Sequence, residues 1–401
     1  MTFFKNNILI ISSLILFSGC GGGGGGSTPL SSLIDQSDPS RYDSEPYFKY
    51  AWHLTKKVNS FSNNHNIDPS SHINIATAWV ETTGIYKVGT NINQPVKIAV
   101  IDDNFNVNHE DLKDKLINQC NFENYISGDV ITYCNNISNQ DVSPVNGENS
   151  HGTAVASFIT ANQNSKGLIG SAPDASLIAI KQEIVDDIKT IAAFEYAKAL
   201  GAKVINCSWG TPNGVSGAVS AKIQELKDDG ISIVFASGND NKDLDSDSII
   251  DDSELSSVIS IGSSNISNER SSFSNYSSTM EILAPGGGDG VGVLGAFVTN
   301  NQSSSTTYGE NIDTTSYSFT QGTSFSAPIT SGIIALMLSV NPNLTPDQIR
   351  TILIETADKI GSGTYADING DGTTSTFDTL RAYGKLNAGN AVTQAQAEYV
   401  P

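Results

Sequence analysis

A three-layer, doubly wound and mostly parallel α/β sheet with helices on both faces is the fold this sequence predicts, on three observations. Its 401 residues, 38% of them hydrophobic, are enough to bury a large core. Short apolar runs alternate along the chain with segments of helical apolar spacing, the alternation that builds crossover connections in a parallel sheet. One of those runs ends abruptly in two acids, at the carboxyl end of a strand, where such folds carry their chemistry.

The elements follow in chain order. Residues 1–19 read as an export signal: Lys5 supplies the charged start, Ile8 to Phe17 the apolar stretch, and Ser18-Gly19 the small residues before Cys20. That stretch is too short for a stable spanning helix. Leu16-Phe17-Ser18-Gly19-Cys20 resembles a bacterial lipoprotein signal, which implies lipidation of Cys20, although Phe17 stands where leucine is usual. An ordinary cleaved secretory peptide carrying a chance cysteine is the alternative. Residues 20–45, opening with Gly21 to Gly26, read as a flexible leash. The folded domain is expected over 46–395, with 396–401 as a tail. Strands are expected at Val96 to Ile101, Ser176 to Ile180, Lys203 to Cys207, Ile231 to Ala236, Val258 to Ile261 and Glu281 to Leu283. Ile188, Ile191 and Ala192 mark one helix face between strands, and Val219, Ile223 and Leu226 another. Thr345-Pro346-Asp347-Gln348 has the form of a capping box with proline at the first helical position. Export to an oxidising compartment makes Cys120 and Cys134 a candidate disulfide and Cys207 a buried thiol, with unpaired packing of all three as the alternative.

Forty-two acidic residues against 22 basic ones give a formal charge of −20, which argues against nucleic acid or anionic lipid as a partner. Three short motifs carry the chemistry. Ile98-Ala99-Val100-Ile101-Asp102-Asp103 ends a strand in two acids, where a carboxylate could orient an imidazole and stabilise its charged form. Ser150-His151-Gly152-Thr153 puts a histidine, the side chain that titrates near neutral pH, at the start of an apolar helix. Gly322-Thr323-Ser324-Phe325-Ser326-Ala327-Pro328 puts a serine in the first turn of a buried helix, where free N–H groups favour developing negative charge. Alone, each has an ordinary structural reading as a turn acid, a packed histidine or a helix cap.

Together the three motifs, in this order, resemble the subtilisin-like serine proteases (subtilases, peptidase family S8) over roughly residues 45 to 395. The resemblance implies Ser324 as nucleophile, His151 as general base and then acid, and Asp102 as the residue that orients His151. Phe235-Ala236-Ser237-Gly238-Asn239 matches the family's Gly-Asn signature, which implies that Asn239 donates to the oxyanion. Asn206-Cys207-Ser208-Trp209-Gly210 resembles the segment lining the substrate cleft, so Ser208, Trp209 and Gly210 are expected to bind substrate. Phe273-Ser274-Asn275-Tyr276, Leu283-Ala284-Pro285-Gly286 and Tyr383-Gly384-Lys385-Leu386-Asn387-Ala388 resemble later family landmarks.

The Asp102-Asp103 doublet, Trp52-His53-Leu54, Ser208-Trp209-Gly210 and Asn341-Pro342-Asn343-Leu344-Thr345 lean toward the kexin-like branch, which cuts after basic residues. Asp252 falls where that branch has a specificity-pocket acid and Asp240 follows Asn239, but Thr211-Pro212-Asn213-Gly214 replaces the second expected acid. No cofactor is expected for catalysis. Structural calcium is expected at Asp367, Asn369, Asp371 and Asp378, which have the spacing of an EF-hand-type loop with Gly372 at the turn. Clustered acids from Asp243 to Asp252 could also bind calcium or form a solvated loop.

The resulting expectation is a monomeric serine endopeptidase of proteins or peptides, using no nucleic acid. It would be held by lipid on the periplasmic or cell-surface side of a bacterial membrane, the outer rather than the inner. A catalytically silent, peptide-binding or adhesin-like surface lipoprotein is the competing reading; esterase chemistry is disfavoured because no Gly-x-Ser-x-Gly elbow surrounds Ser324. No sizeable pro-domain is legible before Tyr47.

Overall fold

The computed structural model describes residues 42–56, 59–144, 151–211, 213–297, 307–367 and 376–400. The signal segment, Cys20 and the glycine leash lie outside the described residues. Helices α1 (Ser60–Asn64) and α2 (Ile75–Glu81) precede strand β1 (Lys97–Asp102). There follow β2 (Leu116–Asn121), α3 (Val130–Cys134), α4 (His151–Thr160), β3 (Ser176–Lys181), α5 (Asp187–Ala199) and β4 (Val204–Cys207). Next come α6 (Gly217–Asp228), β5 (Ser232–Ala236), β6 (Ile259–Ser264), β7 (Ile282–Pro285), β8 (Val293–Ala296) and β9 (Tyr317–Thr320). Helices α7 (Thr323–Val340), α8 (Pro346–Glu355) and α9 (Ala388–Ala397) complete the chain.

Seven strands form one parallel sheet in the order β2-β3-β1-β4-β5-β6-β7, the doubly wound α/β arrangement the sequence predicts. Successive strand residues point to opposite faces. Ile98 and Val100 of β1 therefore join one buried cluster with Val155 of α4, Ile333 of α7 and Val392 of α9, while Ala99 and Ile101 join the other with Phe194 of α5 and Ile223 of α6. With both faces covered, strand residues on either side are apolar, which explains the unbroken runs in the sequence. β1 sits between β3 and β4, so the chain leaves it in one direction and returns in the other. The crevice at the carboxyl ends of β1 and β4 is thus the switch point where ligands bind in such sheets.

Helix α7 is long and apolar enough to cross a bilayer by length and composition, but 94% of that stretch is buried inside the domain. It is the core helix, and each of its buried Ile and Leu side chains contributes about 1.5–3 kcal/mol. Thr345 caps α8, its Oγ1 accepting from Gln348 N at 3.2 Å while Gln348 Oε1 accepts from Thr345 N at 2.9 Å.

Several expectations shift. Ile188 does not belong to the buried face of α5: it is 56% exposed, because Asp186 caps the helix one residue before it begins and leaves Ile188 in an outward first turn. Ala192 is buried as expected, together with Thr190, Ala193, Phe194, Tyr196 and Ala197, and Ile191 packs partly buried against the same cluster. β2 escapes a hydrophobicity reading because it is an edge strand of polar composition, and β8 and β9 pair antiparallel in a separate two-stranded sheet. Tyr42 is fully buried, and Glu45 accepts from Ser165 N at 2.7 Å and Lys166 N at 3.0 Å, so packed structure begins ahead of residue 46. Cys120 of β2 and Cys134 of α3 form a disulfide, and Cys207 is a buried free thiol. Closing a loop of this length stabilises a fold by about 3 kcal/mol through the unfolded chain.

Candidate active site

Asp102 is the last residue of β1, nearly fully buried at the carboxyl edge of the sheet. Its Oδ1 accepts from Asp103 N at 2.9 Å and from His151 Nδ1 at 2.7 Å. A carboxylate can only accept, so Nδ1 carries the proton and the neutral ring keeps its lone pair on Nε2. His151 opens α4, whose first turn presses directly on the end of β1. A Cβ at residue 152 would lie 2.7 Å from Asn104 O and 3.0 Å from Asp102 Cβ, so only glycine allows the approach. Burial disfavours the imidazolium, but the Asp102 charge and hydrogen bond, with Asp103 adding to them, outweigh it and hold the His151 pKa above its ordinary value.

Ser324 is the second residue of α7, and the ring of the next residue, Phe325, lies 5.4 Å from that of His151. Ser324 Oγ donates to Ser208 O at 3.3 Å, and Ser208 Oγ donates to Ser324 O at 2.8 Å. The serine is therefore fastened to the exit of β4. Asn239 follows β5. Its Oδ1 accepts from Thr323 N at 2.9 Å and from Thr323 Oγ1 at 3.1 Å. These donors fix which amide atom is oxygen, so Nδ2 is the donor end of the Asn239 amide.

Asn239 and Ser324 line one cavity of about 400 Å³ together with Ser208, Trp209, Gly210 and Asp240. Trp209 is held by its Nε1 donating to Ile101 O at 2.9 Å and by an edge contact with Phe235. The arrangement can polarise a hydroxyl beside an imidazole and present amide donors to a new negative charge, the requirements of acyl transfer.

Asp252 does not face this cavity. It is fully buried, with Oδ2 accepting from Thr211 N at 2.9 Å, and burial raises its pKa. Its neighbour Asp251 lines the cavity instead, together with Asp240. Asp251 caps the short turn Asp252–Glu254, accepting from Ser253 N at 2.9 Å, and this phase turns the two side chains apart. A Cβ at residue 210 would lie 3.1 Å from Asp251 Oδ2, so Gly210 leaves that carboxylate accessible.

Two supporting residues were noted in the sequence without a role. Asn275 clips the turn carrying Asn239: its Oδ1 accepts from Asp240 N and Lys242 N, each at 2.9 Å, and its Nδ2 donates to Ser237 O at 2.9 Å. Asp103 binds the first amides of α4. Their signals were the polar residues flanking each motif.

The expected calcium loop is only partly within view. Asn369 and Asp371 lie outside the described residues, and Asp378 accepts from Leu380 N at 3.0 Å and pairs with Arg381 at 3.2 Å. Among the described residues, no group of three or more His, Cys, Asp or Glu side chains could hold a metal ion.

Known proteins are similar to this chain in sequence and in fold. Subtilisin DY of Bacillus licheniformis is 32% identical over 274 residues, which cover 67% of this chain and 86% of that protein. A calcium-dependent protease of Trichormus variabilis is 26% identical over 358 residues, 80% of this chain and about half (48%) of the relative. Among solved structures, a protease of Pseudoalteromonas arctica superposes with a TM-score of 0.65 at 23% identity, covering 88% of this chain and 99% of that one. The model of the subtilase family matches residues 93–384, and with that match and the fold on the page, the chain belongs to the subtilase family of serine endopeptidases.

Proposed function

We infer that this subtilase hydrolyses peptide bonds through an Asp102-His151-Ser324 triad. The observation that carries the reading is the 2.7 Å bond from His151 Nδ1 to Asp102, with the ring of Phe325, the residue after Ser324, 5.4 Å from the imidazole. His151 Nε2 takes the proton of Ser324 Oγ as the oxygen attacks the substrate carbonyl. Asn239 Nδ2 and the Ser324 backbone N–H stabilise the tetrahedral oxyanion. The imidazolium then protonates the leaving amine, and water, activated by the same imidazole, releases the acyl group from Ser324.

Basic residues before the cut are the proposed preference, supported by Asp240 and Asp251 as the two acids lining the cavity. Export and a lipid on Cys20, placing a monomer at the outer membrane, are supported by Leu16 to Cys20 and by the Cys120–Cys134 disulfide, a bond of oxidising compartments. Mass spectrometry of the membrane fraction finding an unmodified Cys20 would end the anchor reading. Structural calcium at Asp367, Asn369, Asp371 and Asp378 is supported by ligand spacing and opposed by the Asp378–Arg381 pair. A melting temperature lowered by EGTA and restored by Ca²⁺ supports it; an unchanged one removes it.

The deciding experiment treats full-length protein and Ser324→Ala with a fluorophosphonate probe and with casein. Labelling and cleavage by the first alone are expected, with kcat lower in the variant by on the order of 10⁶. A wild type that neither labels nor cleaves leaves a silent peptide-binding subtilase instead.

A further inference from the structure

We propose that Asp103 is a positioning residue, which clamps His151 by its backbone while Asp102 holds the same residue by its ring. This rests on the triad reading above. Asp103 Oδ1 accepts from Gly152 N at 2.9 Å, Oδ2 from His151 N at 3.4 Å, and Oδ1 also receives Asn104 N. Two consecutive carboxylates at the end of one strand thereby grip both ends of the histidine. The carboxylate sits at the positive end of α4 and satisfies amides that have no partner within the helix.

The clamp has no slack. The backbone at Gly152 runs so close to Asn104 O that a Cβ there would lie 2.7 Å from it, and Thr153 Oγ1 accepts from Asn106 N at 2.8 Å, tying the next residue to the same loop. Loss of the cap would let the first turn of α4 shift outward and carry the imidazole with it. Displacements of about an ångström in a catalytic group cost up to about a hundredfold in rate.

The carboxylate also acts on His151 through its charge. The titratable groups facing Asp103 are Asp102, the last residue of β1 just before it, and His151 on α4. Burial, then the Asp102 charge, raise the Asp103 pKa to about 6, and the Asp103 charge contributes to holding His151 above its ordinary value. Below that range Asp103 becomes neutral, and its charge support for both amides and imidazolium is lost together.

The test uses the full chain with a lysine p-nitroanilide peptide and follows kcat and KM from pH 5 to 10. Asp103→Ala, which removes acceptor and charge, is expected to lower kcat roughly 10- to 100-fold with KM within about twofold. Asp103→Asn keeps an acceptor oxygen and should recover most of kcat, yet its acid limb should move to lower pH, because the imidazolium has lost a stabilising charge. A cap that served stability alone would move the melting temperature and leave the limb in place. Wild-type kcat in Asp103→Ala, or an unmoved limb in Asp103→Asn, overturns the proposal. If Asp103→Ala does not fold, the limb of Asp103→Asn decides by itself. A wild type that also fails to cleave casein or to label with a fluorophosphonate would instead defeat the triad reading, so the two failures are distinguishable.

Discussion

The histidine side and the serine side of the site are held by different kinds of bond. On the histidine side, Asp102 and Asp103 grip His151 by ring and backbone with carboxylate acceptors. On the serine side, Ser324 and Ser208 exchange neutral hydrogen bonds, and Asn239 is oriented by Thr323 through its amide oxygen. Charge-assisted bonds are roughly twice as strong as neutral ones, and they titrate. The difference separates two tasks: acid sensitivity belongs to the histidine side, whereas the serine side fixes geometry without regard to pH.

The largest test of that separation within an intact triad is Asn239→Ala. Removing an oxyanion donor costs on the order of 10²–10³ in kcat. Since Asn239 makes its described bonds to Thr323, KM and the acid limb should stay where they are in the wild type. The limb reports His151 losing its function as base on protonation, so its midpoint should lie above the ordinary histidine value of 6.5. A pH–rate profile in which Asn239→Ala shifts that limb would show the two sides to be electrostatically coupled.

The same contrast explains what was legible in the sequence. Asp102, His151, Ser324 and Asn239 each stand at the border of an element beside glycine or small residues, so strand ends and helix starts could be read with the chemistry attached. The clamp by Asp103 could not, because its partners are backbone amides 48 and 49 residues further on. That Asp251 rather than Asp252 lines the cavity was not legible either, since periodicity phases strands and helices but not a loop. There the capping turn of Asp251 decides which of two adjacent acids faces the cavity. β2 was hidden for a related reason: an edge strand with one protected face carries Asn and Gln where central strands carry Val and Ile. The five central strand positions around the site were apolar because both faces are covered, which is why the scaffold was easier to read than its periphery.

The smaller test concerns Asp251, one of the two acids lining the cavity among the described residues. Asp251→Asn preserves the oxygen that accepts from Ser253 N, so the capping turn should persist while the charge is lost. If Asp251 reads a Lys or Arg side chain, kcat/KM for peptides with those residues before the cut should fall about 10- to 100-fold, the range of one charge-assisted bond. Peptides with apolar residues there should change within about twofold. The acid limb should not move, because Asp251 is not among the groups that set the His151 pKa. An equal loss on every peptide would make Asp251 a support for the loop rather than a reader of the substrate. A wild type with no basic preference would remove that reading outright and leave Asp240 and Asp251 as solvated charges at the rim. In either case a shifted limb would be the more damaging result, because it would carry charge from the serine side across to His151 and dissolve the division between the two halves.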